Sequence, residues 1–285
     1  MDQSFLRVIS SPLILLHAVN TDEIPLVCVP GAGASVTAFV DLIGALGERW
    51  PVYGLQPRGM DLAEPPHKTV EEAALYNLRA LAQLEPTRAI HLLGHSHGGL
   101  VVFEMAMRLQ EQRRHVASVT LIDTEPPGLL EGGGGDIDAT SIFREFIEVL
   151  EQNFDRPLNI DDAAISVGDT HIFICVLHAL LVKEKLLSPR STAGVLRGPL
   201  DTFIAVRRTI YMPTKHYPGR VHLALVSAYG LNKPYERDER ATYARKWRSR
   251  VAELDVWYGP GNHASILQLP HAKSLAEWWR KSREP

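Results

Sequence analysis

Short apolar runs recur along the chain, and most of them are separated by segments whose apolar residues have helical spacing. Three segments with this spacing are AFVDLIGALGERW, TVEEAALYNLRALAQL and LVVFEMAMRLQEQRR. Six apolar runs are predicted to be strands: LVCVP (26–30), VYGLQP (52–57), IHLLGHS (90–96), SVTLIDT (118–124), VHLALVSA (221–228) and LDVWYG (254–259). This alternation predicts βαβ units, and therefore an α/β fold with a mostly parallel sheet and helices on both faces.

The alternation stops between about Pro126 and Pro218, where no strong strand signal occurs. The segments SIFREFIEVLEQNF, DDAAISVGDTHIFICVLHALLVKEKLL and LDTFIAVRRTIY are predicted to be helical. The glycine run EGGGGD (131–136) precedes them and indicates a flexible hinge or loop. A helical block between two sheet strands is a candidate lid, and a structural cap without a gating role is the alternative.

One of the apolar runs leads directly into Gly94-His95-Ser96-His97-Gly98, which fits the pattern G-x-S-x-G. A strand before this pattern and a helix after it form the setting of a nucleophile elbow. The residues two positions before and after the nucleophile must be small in such a strained turn, and both are glycine. We therefore predict that Ser96 is a nucleophile; a serine N-cap on a glycine-containing turn is the alternative.

A serine nucleophile needs a base and a third group that orients the base. His263 follows the last predicted strand, where the chain order Ser, Asp, His places the base; His271 is the reserve candidate, although we expect it to begin the closing helix. Asp123 ends the strand after the elbow helix, at the edge of the sheet where sites gather. Glu236 and Asp238 are the first acids after the next strand, so position favours Asp123. An exposed carboxylate at a strand end is the alternative interpretation.

The charge that develops on the substrate oxygen needs preorganised backbone N–H donors. We predict the N–H groups of His97, directly after the nucleophile, and of Ala32, between two glycines in VPGAGAS. The loop lacks the third glycine of a dinucleotide fingerprint, and no ribose-binding acid follows about 20 residues later. His95 and His97 have no Cys, Asp or Glu nearby at zinc-like spacing. We therefore expect neither a metal nor another cofactor.

The composition narrows the class of protein. A length of 285 residues is compatible either with one large α/β domain that carries an insertion or with two domains. The net charge of −3 gives no reason to expect nucleic acid or an anionic membrane as partner. Cys28 and Cys175 each lie in an apolar run that would bury a thiol, which argues against a disulfide scaffold and fits a reducing compartment. Without a signal peptide or a membrane-spanning segment, the protein is expected in the cytoplasm.

Taken together, VCVPGAGASVTAF, LLGHSHGGLVVFEMAMRL, VTLIDTEPP and YGPGNHASIL resemble the terminal, type I thioesterase domains of nonribosomal peptide and polyketide synthetases. The likeness extends from about Pro25 to Trp279. Its most specific feature is Asp123, which lies 27 positions after Ser96 (123 − 96) at the end of the strand that follows the elbow helix. His97 is a departure, because the residue after the serine is often small or apolar in such domains.

The resemblance implies the α/β-hydrolase fold and a division of the chain. Residues 1–22 would be an N-terminal segment or linker, and residues 23–285 a thioesterase domain with a helical lid at about 127–212. Gly219-Arg220-Val221 would correspond to the GRV strand of the family. An excised domain and a free-standing enzyme both fit.

The resemblance also implies a function. An acyl or peptidyl chain would arrive as a thioester on the phosphopantetheine arm of a carrier protein, move to Ser96, and leave by hydrolysis or by cyclisation. A discrete type II editing thioesterase, a carboxylesterase and a non-catalytic carrier-protein docking module are the alternatives. Five basic residues are candidate contacts for an acidic carrier, although a solvated basic face is the favoured interpretation. They are Arg190, Arg197, Arg207, Arg208 and Lys215.

Overall fold

A computed structural model describes residues 11–82, 84, 88–128, 137–226, 228–229, 233–234 and 237–283. The side chains at 228–229, 233–234 and 237–238 are outside this description. The glycine run at 131–136, predicted to be a hinge or loop, lies outside the described residues, as do residues 1–10.

A seven-stranded sheet forms the centre of the described structure, with the strand order β1-β3-β2-β4-β5-β6-β9. Strand β1 is antiparallel to β3, and the other neighbouring strands are parallel. The strands of this sheet are β1 (Leu13–His17), β2 (Leu26–Val29), β3 (Val52–Leu55), β4 (Ile90–His95), β5 (Val116–Ile122), β6 (Tyr217–Val226) and β9 (Val251–Gly259). Two further short strands, β7 (Ala228–Tyr229) and β8 (Lys233–Pro234), form an antiparallel pair.

Helices cover both faces of the sheet, as the alternating pattern predicted. Helices α2, α3 and α8 pack on one face, and α1 and α9 pack on the other. The described α-helices are α1 (Val40–Leu46), α2 (Val70–Leu81), α3 (His97–Glu111), α4 (Ala139–Phe154), α5 (Asp162–Ser166), α6 (Thr170–Lys183), α7 (Arg197–Arg207), α8 (Arg237–Arg248) and α9 (His271–Lys281). Within the described ranges, none of these helices is long and apolar enough to span a bilayer.

The central strands are apolar on both sides because both sides are covered. All residues of β2 and β4 are buried, which explains why their sequences are nearly continuous apolar runs rather than alternating ones. Large aromatic side chains join the layers: Trp247 of α8 and Trp279 of α9 are both fully buried, on opposite faces of the sheet. The predicted α/β architecture is therefore confirmed.

Helices α4 to α7 form an insertion between β5 and β6 with a hydrophobic core of its own. Phe143 of α4 stacks on Phe173 of α6 with ring centroids 4.1 Å apart. The insertion packs on the loop after β2, where a Cβ on Gly33 would lie 2.9 Å from the carbonyl oxygen of Pro199. The helical block thus lies at the carboxyl ends of the strands, and its role as a lid stays a prediction.

Three features differ from the sequence-based expectations. Strand β1, which no apolar run predicted, lies within the N-terminal segment or linker at 1–22; its residues are half-buried or exposed because it is an edge strand. Cys175 is exposed on α6 rather than buried, because this helix is apolar over more of its surface than the insertion covers. The long helical segment at 161–187 is interrupted at Gly168, whose φ of +67° ends α5 and separates it from α6.

The core also contains a polar pair that bears on stability. His91 of β4 is 7 % exposed, its Nδ1 lies 2.8 Å from the Ser118 hydroxyl of β5, and its ring lies edge-on to Trp279 with centroids 5.3 Å apart. Burial, together with the positive charge of Arg283, lowers the pKa of His91 to about 3. The folded protein therefore holds this imidazole neutral at neutral pH.

We expect the free energy of unfolding to fall as the pH is lowered from 6.5 towards 4. In this range the unfolded chain binds a proton at His91 that the folded protein does not, so this residue alone contributes a slope approaching about 1.4 kcal/mol per pH unit. Urea unfolding at pH 8, 6.5, 5 and 4 measures the slope. The His91→Gln variant should show a shallower decline, and equal slopes in the two proteins would contradict this account.

Candidate active site

Ser96 occupies a sharp turn between β4 and α3, in the predicted strand–turn–helix setting. Its backbone has φ +53° and ψ −128°, a conformation that L-residues rarely adopt. Its N–H donates to the carbonyl oxygen of Ile122 at 2.8 Å, and its own carbonyl oxygen accepts from the N–H of Gly99 at 2.9 Å. These bonds hold the strained turn against β5 and the first turn of α3.

The two glycines that flank the turn at Ser96 lie so close to neighbouring atoms that no Cβ would fit at either position. A Cβ on Gly94 would lie 2.2 Å from Val102 Cγ2, and a Cβ on Gly98 would lie 2.3 Å from the carbonyl oxygen of Val29. Both approaches are far shorter than a van der Waals contact, and the second one is to backbone. The close packing of α3 on β2 and β4 therefore depends on these two glycines.

Asp123 directly follows β5 and has a left-handed backbone with φ +45°. Its N–H donates to the carbonyl oxygen of Ala224 at 2.7 Å, and its buried carboxylate lies between His263 and Arg240. Oδ2 lies 2.6 Å from Nδ1 of His263, while Oδ1 accepts from Arg240 Nη1 at 2.9 Å and from the N–H of Val226 at 3.3 Å. Burial raises the pKa of Asp123, but His263 and Arg240 outweigh this effect and hold the pKa below its usual value.

His263 lies in the loop after β9, and its side chain is half-buried. Asn262 shapes this loop, because its Oδ1 accepts from the N–H groups of Ala264 at 3.1 Å and Ser265 at 2.8 Å. Since Nδ1 of His263 donates to Asp123, its Nε2 carries the free lone pair. No direct hydrogen bond joins this Nε2 to the Ser96 hydroxyl among the described contacts.

The side chain of His95, the residue directly before Ser96, is hydrogen-bonded to the same loop. Its Nε2 lies 2.7 Å from the carbonyl oxygen of His263, and the two rings are 4.8 Å apart. Burial lowers the pKa of His95 to about 3, so the ring is neutral and Nε2 carries the proton that this carbonyl accepts. His95 therefore ties the elbow to the loop that carries His263.

Ser96, His263, Ala32 and His97 all line one cavity of about 740 Å³ at the carboxyl edge of the sheet. The backbone N–H groups of Ala32 and His97 have no hydrogen-bond acceptor in the described part of the chain. The side chain of His97 is half-buried, and burial lowers its pKa to about 4, so this imidazole is neutral at neutral pH.

The structure brings together all five residues that the sequence singled out for chemistry. His271, the reserve base, begins α9 as expected. Of the acids weighed against Asp123, Glu236 lies outside the described residues, and the side chain of Asp238 is not described. In the part of the chain that the structure describes, no three His, Cys, Asp or Glu side chains group as metal ligands would.

Sequence reasoning missed Arg240, which no motif marks. Arg240 belongs to α8 and lies 117 positions after Asp123 in the chain. Only 4 % of this residue is exposed. Its guanidinium also lies over the ring of Tyr243 at 4.7 Å. An arginine within the strongly charged segment RDERATYARKWRSR indicates a solvated helix face, so no signal in the sequence separates this buried arginine from its exposed neighbours.

The five basic residues considered for carrier contact do not form one exposed face. Arg207 is half-buried, lines the cavity and pairs with Glu145 through two contacts of 2.5 and 3.0 Å, because α7 packs on α4. Arg197 pairs with Asp201 at 2.7 Å, and Lys215 pairs with Glu111. The other two, Arg190 and Arg208, are exposed.

The sheet order, the serine turn and the acid after β5 are those of the α/β-hydrolase fold. The Vlm2 thioesterase domain, solved with a bound dodecadepsipeptide, has a TM-score of 0.69 at 19% identity over 95% of this chain and 97% of that one. The type II thioesterase BorB from the borrelidin biosynthetic cluster has a TM-score of 0.68 at 17% identity over 95% of this chain and 97% of that one. These similarities confirm the predicted fold class.

The sequence model of the Thioesterase domain matches residues 24–282, so the chain belongs to the thioesterase domain family, whose members are hydrolases. Vanchrobactin synthetase VabF of Vibrio anguillarum is 35% identical over 252 residues, which make up 88% of this chain and 8% of that synthetase. The matched segments cover less than a tenth of the length of three curated relatives, VabF among them. The resemblance to thioesterase domains of peptide and polyketide synthetases is therefore confirmed.

We expect Gly98→Ala to destabilise the protein by more than about 3 kcal/mol, because the added Cβ meets backbone that cannot move aside. Gly44→Ala is the matched control: a Cβ on this α1 glycine meets nothing within 4 Å, and alanine favours a helix. Urea unfolding of both variants tests the packing. A Gly98→Ala protein as stable as the Gly44→Ala protein would contradict it.

We expect Arg240→Met to lower the free energy of unfolding by about 3–5 kcal/mol, because it leaves the buried Asp123 carboxylate without the guanidinium that it pairs with. Arg190→Met removes an exposed arginine and should change the stability by less than about 0.5 kcal/mol. Chemical denaturation at pH 7 measures both. Similar values for the two variants would show that the Arg240–Asp123 pair contributes little.

Proposed function

We propose that the protein is a serine thioesterase that releases an acyl or peptidyl chain from the phosphopantetheine thioester of a carrier protein in natural-product biosynthesis. The observation that supports it most is the geometry at one cavity. A strained elbow holds Ser96 there, together with His263, whose Nδ1 is fixed at 2.6 Å on the buried Asp123. Membership of the thioesterase domain family supports the same chemistry.

In the proposed first half-reaction, Ser96 Oγ attacks the thioester carbonyl carbon while Nε2 of His263 takes its proton. Asp123 keeps the proton of His263 on Nδ1 and stabilises the imidazolium that forms. The backbone N–H groups of Ala32 and His97 receive the developing oxyanion, since neither has a competing acceptor in the described structure. The imidazolium then protonates the departing thiolate, and the chain is left as an ester on Ser96.

In the second half-reaction, a new nucleophile releases the chain. Water gives a free acid, and an amine or hydroxyl of the chain itself gives a ring; in either case His263 takes the proton of the attacking group and passes it to Ser96 Oγ as the ester bond to Ser96 breaks. The Ser96–His263 hydrogen bond that this chemistry needs is commonly long before a substrate is bound. Its absence from the described contacts therefore does not conflict with the proposal.

The cavity supports an acyl or peptidyl chain as substrate. Its volume of about 740 Å³ falls in the range of pockets that enclose drug-sized ligands, and helices α4 and α7 of the insertion form part of its wall. We propose that this insertion acts as the lid and that the protein works in the cytoplasm with a carrier protein as partner. The exposed Arg190 and Arg208 are the candidate contacts that remain for an acidic carrier.

A discrete type II editing thioesterase is the second candidate, since the fold is also shared with BorB. The two candidates differ in the chain that they remove. An editing enzyme acts on short misprimed acyl groups, whereas an offloading enzyme acts on the completed chain. The cavity volume of about 740 Å³ favours the offloading reaction, because a completed chain needs more room than a short acyl group.

A peptidyl thioester, a short acetyl thioester and the matching oxygen ester test these candidates. Intact protein mass should show an adduct of one acyl group, mapped to the Ser96 peptide, and then free thiol with acid or ring. The Ser96→Ala protein should form no adduct. We expect Asp123→Asn and His263→Ala to lower kcat at least about 10³-fold, as in other serine hydrolase triads.

The outcomes separate the candidates. A higher kcat/KM for the peptidyl thioester supports offloading, a higher value for the acetyl thioester supports editing, and a preference for the oxygen ester indicates a carboxylesterase. If none of the three substrates is turned over and a fluorophosphonate fails to label Ser96, the protein is a non-catalytic carrier-protein docking module and the proposal is wrong.

A further inference from the structure

Helix α4 turns one face towards the cavity. Four of its cavity-lining residues are spaced as one side of a helix requires, at positions i, i+3, i+4 and i+7. They are Glu145, Glu148, Val149 and Gln152. Three of the four are polar or charged, which is unusual for a wall that would contact a hydrocarbon chain.

Gln152 is the most informative of them. Only 7 % of this residue is exposed, and its Oε1 has no hydrogen-bond partner among the described residues. Leaving a buried polar atom unpaired is unfavourable, so such atoms normally have a partner in proteins. The folded chain does not supply one here, and a bound ligand at this wall of the cavity is a source of one.

The charges of the cavity wall indicate which kind of ligand it would attract. Glu145 is neutralised by Arg207, but Glu148 forms no salt bridge in the described part of the chain. The Asp41 carboxylate also lines the cavity; it accepts from the backbone N–H of Leu269 at 2.9 Å and has no other partner among the described residues. The wall thus carries carboxylates without a described cationic partner, which attract a positively charged group and repel an anionic one.

We propose that Gln152 and Glu148 form a polar subsite that binds an amide-bearing, positively charged part of the acyl chain. A carboxamide both donates and accepts, so the side chain of Gln152 matches the C=O and N–H of an amide group. Glu148, one turn earlier on the same face, pairs with the cation. This subsite deepens the proposed function and rests on it, because it assigns a chemical class to the chain that Ser96 would carry.

Three N-acetylcysteamine thioesters of equal length test the subsite. One carries a plain hydrocarbon chain, one has an internal amide and a terminal amine, and one has the same amide and a terminal carboxylate. We expect the wild-type protein to give the highest kcat/KM with the amide–amine chain. Gln152→Leu should lower the ratio of kcat/KM for the amide–amine chain to that for the hydrocarbon chain about tenfold, as expected for lost hydrogen bonds of ordinary strength.

Glu148→Gln should act on charge alone. We expect it to lower the preference for the amine over the carboxylate about threefold, with a smaller effect at high salt, because Glu148 is exposed. Two controls lie outside the cavity: Gln110→Leu and Glu48→Gln change exposed residues of the same types. Both control proteins should keep the wild-type ratios.

A stability measurement separates a binding role of Gln152 from a structural one. If its carboxamide serves a ligand, Gln152→Leu removes an unpaired buried polar atom and should raise Tm by about 2 °C. If the carboxamide stabilises the fold, the same change should lower Tm. A lower Tm together with unchanged kcat/KM ratios would overturn the proposal.

Binding of the corresponding unreactive thioethers to the wild-type protein makes the test independent of turnover. Turnover of all three thioesters with ratios that Gln152→Leu leaves unchanged overturns the subsite and leaves the proposed thioesterase intact. Absence of turnover, with binding of the amide–amine thioether that is weakened by Gln152→Leu, supports the subsite and contradicts the proposed chemistry. If the protein neither turns over the thioesters nor binds the thioethers, both the subsite and the proposed chemistry are contradicted.

Discussion

The buried carboxylate of Asp123 is the constraint on which the site depends. A charge that is removed from water must be compensated by partners at close range, and here one oxygen faces His263 and the other faces Arg240. These partners come from the loop after β9 and from α8, so the ends of three separate elements must meet at one point. The fold that satisfies this carboxylate also places His263 at the cavity that Ser96 lines.

Close packing imposes the second constraint. Ser96 keeps its strained backbone only because Gly94 and Gly98 let α3 approach β2 and β4 more closely than any side chain allows. In the proposed function, the sheet and its helices carry the reacting groups, while helices α4 and α7 of the insertion form part of the cavity wall. In that proposal, the wall sets the preference among chains, as we propose for Gln152, and a change in it leaves the proposed reacting groups undisturbed.

Much of the architecture could be predicted because it follows from local pattern. The apolar runs of β2 and β4 are continuous since both faces of those strands are covered, and the strand–turn–helix at Ser96 is contained within a dozen residues. The edge strand β1 and the exposed Cys175 were not foreseen. Both depend on how much of an element its neighbours cover, and the element's own sequence does not contain that information.

The sequence by itself determined the α/β class and singled out Ser96, Asp123 and His263 as candidates, because strand ends and chain order are local properties. Only the tertiary structure decided which groups surround them. Arg240 pairs with Asp123, although the two residues are 117 positions apart in the chain. Gln152 is buried, and its Oε1 has no hydrogen-bond partner among the described residues. Long-range packing sets the burial and pairing of such groups, and the spacing of residues along the chain does not record it.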